Sequence, residues 1–276
     1  MKTEHSGRYY SRFTLGQRFM HGILVFAFLG LAMTGLTLRF SHGPWALGFA
    51  QGLGGFGTII FFHESCAVLL TLMFLSHVFN VGYRVFYKKE YALVWGRSSM
   101  IPSLKDLTDL IGHFRWFLFL GPKPKFDRYA YWERVDYWAV FWGMIIIGLS
   151  GYAMWFAPFV ARFIPGSMLN VALLIHSEEA LLAVGFIFSI HFFNAHIRPH
   201  NFPMDLTVFT GKQSEEEFRE RHEEEYDRLL NNGGLEELET TPPPRWEKNF
   251  SRVLGTTALI LGLVMIGLTA VAFVKE

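Results

Sequence analysis

The chain has 276 residues, 51% of them hydrophobic and 17% aromatic, with a formal net charge of only +1. That balance gives no electrostatic footprint for nucleic acid, and so much apolar and aromatic side chain suits a bilayer better than a soluble core. A single cysteine, Cys66, excludes internal disulfides, cysteine-ligated zinc, iron–sulfur clusters and covalently attached haem, which leaves the eleven histidines as the plentiful strong metal ligands.

Five apolar runs are each long enough to cross about 30 Å of hydrocarbon as a helix. The first, at 19–40, reads "FMHGILVFAFLGLAMTGLTLRF". It is too long for a signal core and no small-residue cleavage site follows, so no cleavable signal peptide is expected. The second lies at 59–79. After it, "IPSLKDLTDLIGHFRWFLFL" at 101–120 places apolar residues at 104, 107, 110, 111 and 114, the spacing of an amphipathic helix on a membrane surface. The third and fourth spans are predicted at 137–157 and 170–195. Then "SEEEFRERHEEEYDRLLNNGG" at 214–234 reads as a solvated charged helix ended by Asn-Gly-Gly, with "TPPP" forming a stiff approach to the fifth span at 253–273. The fold class is an all-α membrane protein, divided as a bundle at 1–205, a charged helix and linker at 206–250, and a C-terminal transmembrane helix at 251–276.

Of the Lys and Arg residues, 22 fall in the N-terminus and the second-to-third and fourth-to-fifth connections, and 3 fall on the opposite face. The positive-inside rule then puts the N-terminus in the cytoplasm. On that topology His63 and His176 are outer, while His21, His77, His191 and His196 are inner. His63 and His77, 14 apart on the second span, differ by about 40° in azimuth, and His176 and His191, 15 apart on the fourth, by about 60°. His196 points about 160° from His176. Two helices presenting imidazoles at two common depths can clamp two flat macrocycles one above the other, and bis-imidazole iron suits electron transfer.

Other readings stay open at this point. A lone membrane histidine also serves as a helix-to-helix hydrogen bond or an interface residue, and His5, His42, His113, His200 and His222 lie outside the spans. The inner side can pair His191 with His21 or with His77, or hold two haems on different faces of the fourth span. A spare imidazole can bind a propionate or a quinone. Glu133, Arg134 and Asp136 ahead of the third span, with Asn194 after the inner ligand, are candidate proton or quinone contacts. Glu64, Glu178 and Glu179 stand within three residues of an outer histidine, where carboxylates can orient ligating imidazoles. Gly30, Gly35, Gly143, Gly148 and Gly151 allow close approach of helices or of a haem. Two different classes compete with a cytochrome: a haem-free membrane anchor, and a transporter with a His/Glu proton relay, which predicts broken helices at mid-membrane.

The stretches "RFMHGILVFAFLGLAMTGL", "FFHESCAVLL", "YAYWERVDYWAVFWGMIIIGLSGYAMW" and "LLIHSEEALLAVGFIFSIHFFNAHIRP" resemble the membrane cytochrome b (gamma) subunits of respiratory formate dehydrogenases and the related cytochrome b subunits of nickel–iron hydrogenases. The resemblance covers about 13–203. It implies a four-helix transmembrane haem-binding bundle with two stacked b haems and a quinone, menaquinone or ubiquinone, near the cytoplasmic haem. It implies His63 and His176 on the outer haem, His21 and His191 on the inner one, and Tyr131–Glu133 near the quinone. It implies the bacterial inner membrane, and redox partner subunits such as a periplasmic iron–sulfur, molybdopterin, hydrogenase or multihaem cytochrome protein. The chain departs from the family in a 15-residue rather than 14-residue ligand spacing, in the extra His77 and His196, and in its fifth span. Two b haems are the corresponding expectation, with a third on the surplus histidines as the open alternative.

Overall fold

Apolar runs in lipid can satisfy their backbone groups internally by forming helix, and the chain is 74% helical. The computed structural model describes residues 7–199 and 201–275; His5 and His200 lie outside the described residues. Five helices are long and apolar enough to cross a membrane, at Leu15–Arg39, Phe56–Tyr87, Tyr131–Trp155, Ser167–Ile197 and Arg245–Val274 (the first to fifth spans). By length and composition this is a multi-pass membrane protein. Each helix begins ahead of its predicted apolar stretch, because helical hydrogen bonding continues beyond the point where hydropathy fades, while the first and third stop short of the predicted ends, at Arg39 and Trp155. The second, third and fourth spans depart from regular α-helix. Tyr83–Tyr87, Met144–Gly148, Ile187–His191 and Phe193–Ile197 are π-turns, a local widening that often marks functional positions.

The chain folds into two compact units. One comprises Phe19–His77, Ala139–Asp205 and the residues from Arg252 onward. Here the first span meets the second where Gly30 faces the sulfur of Cys66, a methyl at Gly30 lying only 2.6 Å from it. The second meets the third through Thr71 and Tyr152, hydroxyls 2.8 Å apart, and through Phe74 against Phe141. The third meets the fourth where Gly151 abuts His176. The fourth returns to the first through Phe28 on Phe188 and a buried cluster of Ala32, Leu36, Phe40, Val184, Phe188 and Phe192. These contacts join the first four spans in a ring. The fifth span adds Ala258 and Met265 to the same cluster. Between the first two spans, a short helix Pro44–Gly52 ends at Gly54 and Gly55, whose φ of +97° and +101° would strain any residue with a Cβ.

The other unit comprises the described residues up to Arg18, Val78–Trp138 and Leu206–Ser251. The strand Tyr9–Ser11 pairs antiparallel with Lys212–Ser214 on one side and Glu239–Thr240 on the other. The charged segment is not one solvated helix. It is two, Glu215–Arg221 and Glu223–Asn232, separated at His222, and Phe218, Tyr226 and Glu225 are buried. Ser214 and Glu217 form the capping box that starts the first of them. Buried Arg12 binds Glu225 at 2.5 Å, and Arg128 binds the other carboxylate oxygen at 3.1 Å. A charge buried this deeply is tolerated because it is paired and hydrogen-bonded. The helix Leu104–Phe117 turns Asp106 and His113 inward and leaves Leu104, Leu107, Ile111 and Phe114 exposed, the apolar face an interfacial helix would present to lipid.

His222 sits inside this charge network. Its Nδ1 donates to the Asp127 carbonyl at 2.8 Å, so Nε2 is the acceptor for Arg12, 3.2 Å away. Burial and the Arg12 guanidinium hold the imidazole well below its ordinary value. A histidine neutral when folded and free to charge when unfolded favours the unfolded chain in acid. Its stabilising contribution is complete above about pH 6.5 and is lost as pH falls toward the folded value. Thermal unfolding followed from about pH 7.5 to pH 5 should show this loss. His222→Gln, which keeps a donor and an acceptor, should flatten the slope; an unchanged slope would show that another group governs it.

Candidate histidine sites

The first four spans place all six predicted histidines in one unit. His63 and His176 come from the second and fourth spans, which stand opposite each other in the ring of contacts. Their ring centroids are 6.2 Å apart with planes at 72°. If both Nε2 atoms bound one metal, bonds of about 2.0 Å and about 1.1 Å from each nitrogen to its ring centre would set the centroids about 6.2 Å apart. The observed spacing fits that arrangement.

Hydrogen bonds fix the tautomers. His176 Nδ1 lies 2.9 Å from the backbone oxygen of Ile147, and a carbonyl only accepts, so Nδ1 carries the proton. Ser150 Oγ, 3.5 Å from the same nitrogen, already donates to the Ile146 carbonyl. His63 Nδ1 lies 2.9 Å from Thr34 Oγ1, whose single proton goes to the Gly30 carbonyl at 2.6 Å. The hydroxyl must therefore accept, and His63 too is protonated on Nδ1. Both Nε2 atoms keep a lone pair, and neither has a hydrogen-bond partner among the described residues. Each ring also rests on a glycine. A methyl at Gly151 would come 2.9 Å from His176 Cε1, and one at Gly35 would come 3.3 Å from His63 Cε1.

The other four histidines gather differently. His21 and His191 lie within electrostatic range of each other, His196 within range of His191, and both His21 and His196 within range of Asp205. His77 packs edge-on against Phe141, with centroids 6.2 Å apart. The π-turn at Ile187–His191 alters the rotation read from sequence. A π-turn advances about 80° per residue against about 100° in an α-helix. Four such steps return roughly 70–80°, bringing His191 within about 20° of the His176 azimuth.

His196 faces the fifth span. It is buried, its Nδ1 has no hydrogen-bond partner among the described residues, and a methyl at Gly255 would come 3.4 Å from its Cε1 and 2.9 Å from Met204 Sδ. One helical stretch further, a methyl at Gly262 would lie 2.6 Å from Phe192 and 2.7 Å from Phe188. Side chains fill the space between the fourth and fifth spans at these levels. Among the described residues no group of three or more His, Cys, Asp or Glu is arranged to hold a bare metal ion. Two-imidazole ligation of a macrocycle asks for only two.

The other candidates have mixed placements. Glu178 pairs with Arg39 at 2.8 Å, joining the fourth and first spans, and Glu179 accepts from Trp142 Nε1 at 3.2 Å. Glu64 is half-buried beside His63. The groups that hold the outer imidazoles are instead Thr34 and the Ile147 carbonyl. The sequence signal for the first was the small-residue run Gly30, Thr34, Gly35; nothing in the sequence marks a backbone oxygen. Tyr131, Glu133, Arg134 and Asp136 belong to the other unit. Tyr131 lies 3.1 Å from His113 Nδ1, and Glu133 accepts from the Ala130 amide at 2.8 Å. Arg134 is buried, donating to Asp106 and to the carbonyls of Ser99 and Tyr129. The backbone oxygen of Asn194 accepts from Asn201.

No protein-family model matches this chain, and no curated protein matches it significantly. A large residue at Gly262 should push the fifth span off Phe188 and Phe192. We expect Gly262→Leu to destabilise the protein by about 1–3 kcal/mol in detergent melts. Gly267→Leu, with open space at its Cβ position, should leave the melt unchanged; equal effects would remove the packing account.

Proposed function

We propose that the chain is the quinone-linked cytochrome b subunit of a membrane oxidoreductase complex, carrying electrons between an outer-face redox partner and a membrane quinone. The observation that supports this most is the His63–His176 pair, two imidazoles from opposite spans at 6.2 Å, each hydrogen-bonded at Nδ1 with its Nε2 lone pair available. Edge-on ring packing also favours that spacing, as His77 on Phe141 does; what favours a shared iron over a packing pair is the two Nε2 lone pairs left available beside it.

Haem b, when bound, supplies reversible one-electron transfer, and two imidazole ligands leave its iron no open position for oxygen or substrate. The residues supply the rest. His63 and His176 would hold the outer haem, and Gly35 and Gly151 give their rings room. His21 and His191 would hold the inner one; their proximity and the π-turn before His191 support that pair over one using His77. The crowding around His196 by Met204, Gly255 and Phe192 favours two haems over three. Quinone, either menaquinone or ubiquinone, takes up protons with its electrons, and the inner side, where Asp205 stands near His21 and His196, is the side proposed for it. The distribution of basic residues supports a cytoplasmic N-terminus in a bacterial inner membrane. The electron donor would be a second subunit: an iron–sulfur, molybdopterin, hydrogenase or multihaem cytochrome protein.

A reduced-minus-oxidised spectrum with a pyridine haemochrome count on the purified chain tests this. Two haems per chain are expected, and His63→Ala or His176→Ala should each remove one. A chain purified without haem under haem-replete expression would overturn the reading in favour of an anchor subunit. Gly151→Ala forces a 2.9 Å contact onto His176 and should also lower the count by one. Gly166→Ala, where the added methyl meets nothing within 4 Å, should leave it at two.

A further inference from the structure

We infer that Thr34 is a positioning residue that sets the electron affinity of the outer site through His63. This rests on the bis-imidazole reading above and assigns a role within it. The two outer ligands are held by acceptors of different kinds. His176 Nδ1 is held by a backbone oxygen, that of Ile147, which no substitution removes. His63 Nδ1 is held by a side chain, the Thr34 hydroxyl at 2.9 Å.

The hydroxyl is well placed to be a strong acceptor. Thr34 is 3% exposed, and its proton is committed to the Gly30 carbonyl at 2.6 Å, with the Leu31 carbonyl at 3.3 Å. Donating along that chain polarises the oxygen and strengthens the bond it receives, the more so in a low dielectric. An acceptor on Nδ1–H gives the imidazole more anionic character and raises the basicity of Nε2. A more basic axial ligand stabilises ferric over ferrous iron, so the Thr34 bond lowers the potential of the site it serves. The same bond fixes the azimuth of the ring against Gly35, 3.3 Å from a methyl placed there.

The test is a redox titration of the purified chain, followed in the haem absorption bands and by the electron paramagnetic resonance of the ferric state. Thr34→Val keeps the shape and removes the acceptor. One haem should shift to higher potential with altered ferric g-values, the second haem should not move, and Thr34→Ser should restore both readings. If Thr34→Val loses the haem, Thr34→Ala and Thr34→Ser, which differ by the hydroxyl alone, give the comparison: the serine form should titrate at the lower potential. Equal potentials with and without the hydroxyl would overturn the inference while leaving the haem-binding reading intact. So would loss of haem in Thr34→Ser as well, which would assign the residue to packing alone. A wild-type chain with no haem would instead overturn the function proposed above.

Discussion

An imidazole placed among membrane helices has two nitrogens to satisfy and little water to satisfy them, and this constraint organises the spans around His63 and His176. Each of these rings donates its Nδ1–H to an internal acceptor, the Thr34 hydroxyl for His63 and the Ile147 carbonyl for His176. A neutral ring avoids the cost of a charge in hydrocarbon, and with its proton on Nδ1 it keeps the second nitrogen as a base. Much of the local sequence follows from it. Glycines at 35 and 151 exist where a Cβ would collide with a ring. The π-turn Met144–Gly148 widens the third span at the level where Ile147 meets His176. Thr34 does double duty on the first span, capping a carbonyl four residues back while receiving the imidazole.

The two units are held by opposite physics. Among the spans the contacts are aromatic and small-residue: Phe28 on Phe188, Phe40 on Phe273, Gly262 under Phe188 and Phe192. Lipid offers no hydrophobic drive to join helices, so close packing and a few hydrogen bonds must do it. In the other unit a three-stranded sheet and short helices enclose a network of buried charge, Arg12 with Glu225 and Arg128, and Asp127 with Arg228. Such a network contributes specificity of arrangement more than net stability. It also explains why a segment as acidic as Glu215–Asn232 is folded at all: its carboxylates have arginine partners elsewhere in the chain.

The five spans were legible because hydrocarbon thickness imposes a length and a composition that no other element shares. The pairing of His63 with His176 was legible from depth alone, since topology assigns a level to every residue of a straight helix. Rotation was not. Azimuths computed at 100° per residue hold for the second span between His63 and His77, but they fail on the fourth beyond Ile187, where the hydrogen-bond pattern changes. The carboxylates nearest the outer histidines drew attention by sequence proximity, yet Glu178 and Glu179 reach Arg39 and Trp142. Neighbours one to three residues along a helix point to other faces, and the partners of a ring come from adjacent helices. The charged segment misled for a related reason. Glutamate-rich composition reads as solvation until the arginines that bury it, more than 80 residues away in sequence, are seen beside it.

The π-turns on the fourth span bear on how such a helix tolerates insertion. A helix that must present one imidazole near each membrane face is constrained at both ends, so one added residue between them would rotate everything beyond it by about 100°. Opening a single turn from i+4 to i+5 bonding absorbs the residue locally and restores the azimuth. The turn Ile187–His191 lies between His176 and the C-terminal end of the span, and Phe188 within it stays buried against the first and fifth spans. The following π-turn, Phe193–Ile197, swings His196 toward Gly255 on the fifth span. The fourth span thus serves two neighbours in succession, turning His176 and His191 to one side and His196 to the other. A uniform α-helix with this spacing of residues would leave His191 well out of line with His176.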